Sequence, residues 1–306
     1  MRYPTSNDSM SKPPSSANVT AAEPRETAAA PRPGAFWFPL LVETVIFCLV
    51  FALVLLALRP GRPASVAAVA AAPLSVWSFL AAFAAATVLF ILLTRSARGS
   101  RWFAALFALA VFIGVAAAAD VFFGPATAVL AASAAVLAYY GWKRVIVFDL
   151  VLVLGLAGVA IDLGAALQPT GTAVILALLS VYDIVAVFFT RHMVTGAEAL
   201  LRQKALFAII IPSAPAGFWR RSASVEPGRG FLIMGTGDLV LPALLVAAAG
   251  RYGLVRGLAV ALGAIAGLVS THLIFMAQRR RRPIPALPPI ALGAIIGYLF
   301  TLIFVT

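Results

Sequence analysis

From residue 36 to its end, the chain is a succession of apolar runs about as long as a bilayer is thick, with most of its charge gathered in the short stretches between them. A helix needs about 20 mostly apolar residues to cross the hydrocarbon core. Runs of this kind fall near 36–58, 74–94, 102–119, 124–141, 145–165, 171–190, 230–249, 254–277 and 285–305. The third and fourth are the shortest, parted only by the segment Asp120–Gly124. Hydrophobic residues make up 62% of the 306 and charged residues 11%, against roughly 45–50% and 25% in a soluble domain. Too few charges remain to clothe a surface in water. The expectation is an all-α polytopic membrane protein with nine transmembrane helices.

The net charge of +12 does not point to nucleic acid, because the basic residues lie in loops rather than on one face. Their distribution orients the spans instead. With the N-terminus inside, the inner segments hold Arg2, Lys12, Arg25 and Arg32; Arg95, Arg98 and Arg101; Lys143 and Arg144; Arg191, Arg202, Lys204, Arg220, Arg221 and Arg229; and Arg279 to Arg282. These are 19 of the 23 basic residues, and only Arg59, Arg62, Arg251 and Arg256 fall outside. One helix more or fewer would invert every later loop and destroy the asymmetry. The sequence therefore predicts a cytoplasmic N-terminus and an outside C-terminus.

Four regions follow. Residues 1–34, rich in Pro, Ser, Ala and Thr, have no apolar periodicity and read as a disordered tail without the features of a signal peptide. Residues 35–190 carry spans one to six, 191–229 form a cytoplasmic loop, and 230–306 carry spans seven to nine. Within the loop, the apolar stretch Ala205–Pro212 is too short to span and reads as interfacial or packed against protein. The one cysteine, Cys48, and the two histidines, His192 and His272, have no partners at metal-ligand spacing, so neither a metal nor another cofactor is expected. Both histidines read as ordinary interfacial or packed residues.

With only eleven acidic residues, each can be weighed. Asp8, Glu23 and Glu26 belong to the tail, and Glu198 and Glu226 to the loop. Asp120 and Asp162 fall at the outer ends of spans, within reach of water. Asp149 is close enough to the cytoplasmic surface to be hydrated or paired at its helix start, near Lys143 and Arg144. Glu43, about seven residues into span one, reads as a polar tether between helices. Asp183 and Asp238 remain, both deep in apolar surroundings, where a carboxylate is usually functional. Asp183 is eight residues before Arg191 and Asp238 nine after Arg229. At ~1.5 Å per helical residue they lie ~12 and ~13.5 Å below one surface, so neighbouring antiparallel helices bring them level. Gly235 and Gly237 permit a close backbone approach or a loosened helix start. Four prolines between Pro283 and Pro289 predict extended or distorted backbone where span nine begins.

Tyr182-Asp183 on span six, Gly235-Thr236-Gly237-Asp238 on span seven and Pro285-Ala286-Leu287 on span nine resemble the motifs of the presenilin and signal peptide peptidase family. The likeness covers roughly 36–306 and is nearest to the archaeal presenilin homologues. It implies that Asp183 and Asp238 are catalytic, that Tyr182, Gly235, Gly237, Pro285, Ala286 and Leu287 position the site or its substrate, and that the chain is an intramembrane aspartic endopeptidase. Two close carboxyls in a low-dielectric site cannot both ionise cheaply, so the pair is expected to share one proton near neutral pH. One member activates water while the other hydrogen-bonds the scissile carbonyl. The implied substrates are single-span transmembrane segments entering with their N-termini outside. The implied location is the cell membrane, with the active site in the cytoplasmic half, and assembly with further copies is left open. The competing reading is a proton-coupled transporter or ion leak using Glu43, Asp149, Asp183 and Asp238. No inverted repeat is apparent to favour it.

Overall fold

A computed structural model describes residues 37–58, 74–95, 99–190, 208–225, 230–278 and 284–304. The tail 1–34, much of the loop 191–229 and the basic run Arg279–Arg282 lie outside the described residues or largely so. Among those described, nine α-helices follow the apolar runs: α1 (Trp37–Ala57), α2 (Val76–Arg95), α3 (Gly99–Phe123), α4 (Pro125–Gly141), α5 (Val145–Ala166), α6 (Pro169–Val185), α7 (Thr236–Gly250), α8 (Leu254–Ala277) and α9 (Leu287–Phe304). Six of them, α1, α3, α5, α6 with its continuation to Phe188, α8 and α9, are long and apolar enough to cross a membrane. The apolar stretch Val76–Leu89 of α2, together with α4 and α7, is shorter. Local chemistry sets several boundaries. Gly124, at φ +85°, turns the chain between α3 and α4, and Pro125 and Pro169 occupy first-turn positions where a missing N–H costs nothing. The Arg251 guanidinium donates to the Ala165 carbonyl at the end of α5.

Helix α7 is the centre of the bundle. Every residue from Leu241 to Gly250 is buried, and α1, α5, α6, α8 and α9 all pack against α7. Small residues let these backbones approach where lipid offers no hydrophobic drive to associate. Gly114 on α3 lies against Gly155 and Gly158 on α5, and Gly164 on α5 lies against Ala247 on α7. On α8, Gly263 and Gly267 meet the backbone of α9 at Gly293 and at Pro289–Ile290.

The structure departs from an all-helical reading in one place. Residues Ala208–Pro212 form β1 and Phe231–Gly235 form β2, an antiparallel pair in the register Ile209↔Met234, Ile210↔Ile233 and Ile211↔Leu232. The stretch expected to be interfacial or protein-packed is therefore a strand, and the first turn expected of span seven is its partner. Three consecutive isoleucines, each fully buried, favour the pleated conformation that suits β-branched side chains. The hairpin is fixed from below and from the side. The Asp149 carboxylate on α5 accepts from the Ile210 N–H at 3.0 Å. The Val145 N–H donates to the Arg220 carbonyl and the Ser222 N–H to that of Lys143, while the Arg144 guanidinium lies 5.4 Å from the Trp219 ring centre. Asp149 is thus not hydrated but 5% exposed, because the hairpin covers it.

Candidate active site

Asp183 sits in the last turn of α6, where the α-helix gives way to a π-helical turn at Ala186–Thr190. Such widened turns cluster at functional positions because they re-aim side chains. The Ala186 N–H reaches the carbonyls of both Tyr182 and Asp183 at this junction. The Asp183 side chain is buried, and its Oδ2 has no hydrogen-bond partner among the described residues. The Leu287 backbone N–H, at the start of α9, is directed at the same carboxylate.

Asp238 reaches its place differently. Strand β2 ends at Gly235, which caps α7 in an extended conformation, so Asp238 occupies the third residue of the helix. From there its carboxylate turns back to accept from the Gly235 N–H. This is half of a capping box, and it sets an acidic group against the positive end of the helix. Glycine at 235 allows it: a Cβ there would stand 3.3 Å from Asp238 Oδ2. At Gly237 a Cβ would meet nothing within 4 Å. Of the two expectations for these glycines, no second backbone approaches either among the described residues, while the helix start is indeed loosened, with Phe231–Gly235 extended. Gly235 accommodates the aspartate's own carboxylate, and Gly237 leaves space in the cavity.

Asp183 and Asp238 interact electrostatically and line one cavity of about 230 Å³. Tyr182, Gly237 and Leu287 line it beside them, and Phe79, Phe83, Val159, Leu163 and Leu244 complete an apolar wall. Thus α6, α7 and the N-terminal end of α9 bring together residues from all three motifs, while Gly235, Pro285 and Ala286 do not line the cavity. Pro285 and Ala286 are non-helical, as their proline content predicts, and the Thr271 hydroxyl on α8 is 3.5 Å from the Ala286 carbonyl. The arrangement sets two carboxyls in a largely apolar cavity, the chemistry that acid–base activation of a water molecule requires. Among the described residues no group of three or more His, Cys, Asp or Glu side chains could hold a metal.

Sequence reasoning missed two features. One is the hairpin that carries Asp238. The other joins Glu43 on α1 to His272 on α8, whose Nδ1 lies 3.1 Å from Glu43 Oε2 with both residues buried. Glu43 is the inter-helical tether expected of it; His272 is its partner rather than an ordinary packed residue. A signal existed: Glu43 is six residues after the start of α1, and His272 five before the end of α8.

A helical membrane bundle whose cavity holds two neighbouring aspartates defines an intramembrane protease of the aspartyl class. The model of the family described as "Signal-peptide peptidase, presenilin aspartyl protease" matches residues 85–306, and the chain belongs to that family. Two solved structures of a presenilin family intramembrane aspartate protease have the same fold. The form in space group C222 is 26% identical, with a TM-score of 0.59 over 86% of this chain and 97% of that one. The P2 form is 25% identical, with a TM-score of 0.60 over 87% and 98%. No match was found among curated proteins. The activity is intramembrane aspartic endopeptidase activity, and nothing in these comparisons supports the transporter alternative.

The hairpin's anchor supplies a first prediction. Asp149→Leu strands the Ile210 N–H in an apolar setting, at a cost of about 1–3 kcal/mol. Asp149→Asn keeps an acceptor and should lose much less. Thermal unfolding in detergent, read beside cleavage rate, should place Asp149→Leu well below Asp149→Asn on both scales.

Proposed function

We propose that Asp183 and Asp238 are the catalytic pair of this protease, and that its substrates are single-span transmembrane segments cut in the cytoplasmic half of the cell membrane. The observation that carries the assignment is their shared cavity, reached from two different helices and bordered by Leu287. All nine helices cross the bilayer, with the N-terminus in the cytoplasm and the C-terminus outside; the basic loops support this orientation. One carboxylate takes a proton from water as its oxygen bonds to the scissile carbonyl carbon. The other, protonated, donates to the carbonyl oxygen as charge grows there. Collapse breaks the C–N bond: the departing amine takes the proton that the first carboxylate drew from water, and the second recovers its own from the hydroxyl that becomes the new carboxyl's carbonyl oxygen.

A transmembrane helix hides its carbonyls in i→i−4 bonds and must be held extended before attack. Strand β2 offers a template. Ile210 turns its N–H toward Asp149, away from β2, so its partner Ile233 turns its own N–H and carbonyl to the opposite edge. That edge has no strand beside it among the described residues and runs directly into Gly235 and Asp238. A substrate added there as a strand is delivered toward the carboxyls. Leu287 borders the site, with its amide keeping Asp183 in place, and Pro285 and Ala286 lead the chain to it.

The deciding experiment is incubation of purified protein with a labelled single-span peptide in detergent, with products read by mass. Cuts within the span are expected; their absence across several substrates and lipids would remove the assignment. Ile233→Pro tests the strand. It deletes an outward N–H without touching the β1–β2 ladder, so the hairpin is retained. Cleavage should fall roughly tenfold or more, chiefly through KM. An unchanged KM would place the substrate elsewhere.

A further inference from the structure

Glu43 and His272 form a buried ionisable pair that the reaction just described does not use. Glu43 is 8% exposed and His272 5%, and their side chains meet at 3.1 Å between α1 and α8. Burying an acid and a base together is seldom the cheapest way to join two helices, since apolar side chains of similar volume pack as well or better. At membrane depth such a pair usually marks function. Its surroundings suggest which. Helix α1 packs directly against α7, whose first turn carries Asp238, and Glu43 interacts electrostatically with Asp238 as well as with His272.

Among the described residues, no other ionisable group competes for Glu43. Helix α1 packs against α5, α7, α8 and β1. Strand β1 has no titratable side chain. On α5, Asp149 is engaged by the Ile210 N–H and Asp162 lies near the opposite end. Arg256, near the start of α8, and Tyr298, on the α9 helix that packs against α8, lie toward that same opposite end. Among the described residues, Asp238 and His272 are the ionisable groups with which Glu43 interacts.

We propose that the Glu43–His272 pair is a positioning element for the aspartates, setting the electrostatic field in which Asp183 and Asp238 keep their shared proton. The proposal rests on the assignment of Asp183 and Asp238 as the catalytic pair. A carboxylate at Glu43 favours the singly protonated dyad over the doubly ionised one, and the His272 imidazole, 3.1 Å from that carboxylate, offsets its field. Removing either partner therefore moves the working pH range, in opposite directions.

The test is the pH dependence of kcat on a single-span peptide, from pH 5 to 9, for wild type, Glu43→Gln, His272→Gln and Asp238→Asn. Glu43→Gln removes a negative charge, so the alkaline fall in activity should begin at lower pH. His272→Gln leaves the Glu43 charge without its counter-group, so the fall should begin at higher pH. Each displacement should be about one pH unit, the scale of one charge acting across a partly buried site. A pair that serves only as a tether predicts reduced activity or stability with the limbs unmoved, and that result overturns the proposal. If His272→Gln does not fold, Glu43→Gln alone decides the matter through its limb, which the tether reading leaves in place. The dyad assignment fails separately, by retained cleavage in Asp238→Asn, and takes this proposal with it.

Discussion

Asparagine in place of Asp183 or of Asp238 is expected to reduce cleavage by roughly 10³-fold or more, below detection in an end-point assay. Neither change should disturb the fold. In Asp238→Asn the amide keeps an oxygen for the Gly235 N–H, and in Asp183→Asn it keeps one for the Leu287 N–H, so both backbone contacts survive. What is lost is the proton that the pair exchanges with water and substrate. Cleavage of a labelled single-span peptide, measured beside thermal unfolding of each purified variant, separates the two effects. Asp149→Asn is the informative comparison, because it replaces a buried carboxyl whose bond goes to the hairpin rather than to the cavity. It should remain active. Residual cleavage above background in Asp183→Asn or Asp238→Asn would remove that residue from the pair.

The helices are legible because apolar length is a one-dimensional property. The sequence places span eight at 254–277, where α8 lies, and span five differs from α5 by one residue at its end. The hairpin is not legible, because its strands are 18 residues apart from Pro212 to Phe231 and neither alternates in polarity. Both its faces meet protein, so Ala208–Pro212 and Phe231–Gly235 read as plain apolar stretches until paired. Periodicity cannot distinguish a buried strand from a short helix.

The meeting of the two aspartates is legible for a reason that is half right. Counting helical rise from Arg191 and from Arg229 places them at one depth, but residues 231–235 are extended rather than helical. Their common level is set by the hairpin and by the helix start at Thr236, not by a regular descent into the bilayer. For Glu43 and His272 the same count works because both lie inside regular helices. Depth matching is therefore sound within helices and incidental across a glycine-rich junction. The glycine signature itself is ambiguous: Gly235 and Gly237 serve the aspartate and the cavity, whereas the glycines that do bring backbones together carry no motif.

Those unmarked glycines give the second large effect. Gly267 on α8 lies directly against the Pro289 carbonyl and the Ile290 Cα of α9, and two residues before Pro289 comes Leu287, whose amide faces Asp183. Thr271, one turn along α8, is in contact with Ala286. A leucine at 267 has no flexible neighbour to displace, only backbone, so the start of α9 must move. Overpacking of this kind costs about 1–3 kcal/mol in stability, but the greater loss is catalytic. A displacement of about 1 Å at a reacting geometry costs on the order of 100-fold in rate. Gly267→Leu should therefore depress kcat by one to two orders of magnitude, far more than its modest drop in unfolding temperature accounts for. Gly114→Leu is the matched control, since its contacts are with Gly155 and Gly158 on α5, a helix that lines the cavity through Val159 and Leu163 but carries neither aspartate nor the Leu287 amide. It should lose stability to a similar degree while the kcat of the folded fraction stays much closer to wild type. Equal kcat losses at the two sites would mean that the α8–α9 contact acts through global stability and not by holding Leu287 against the dyad.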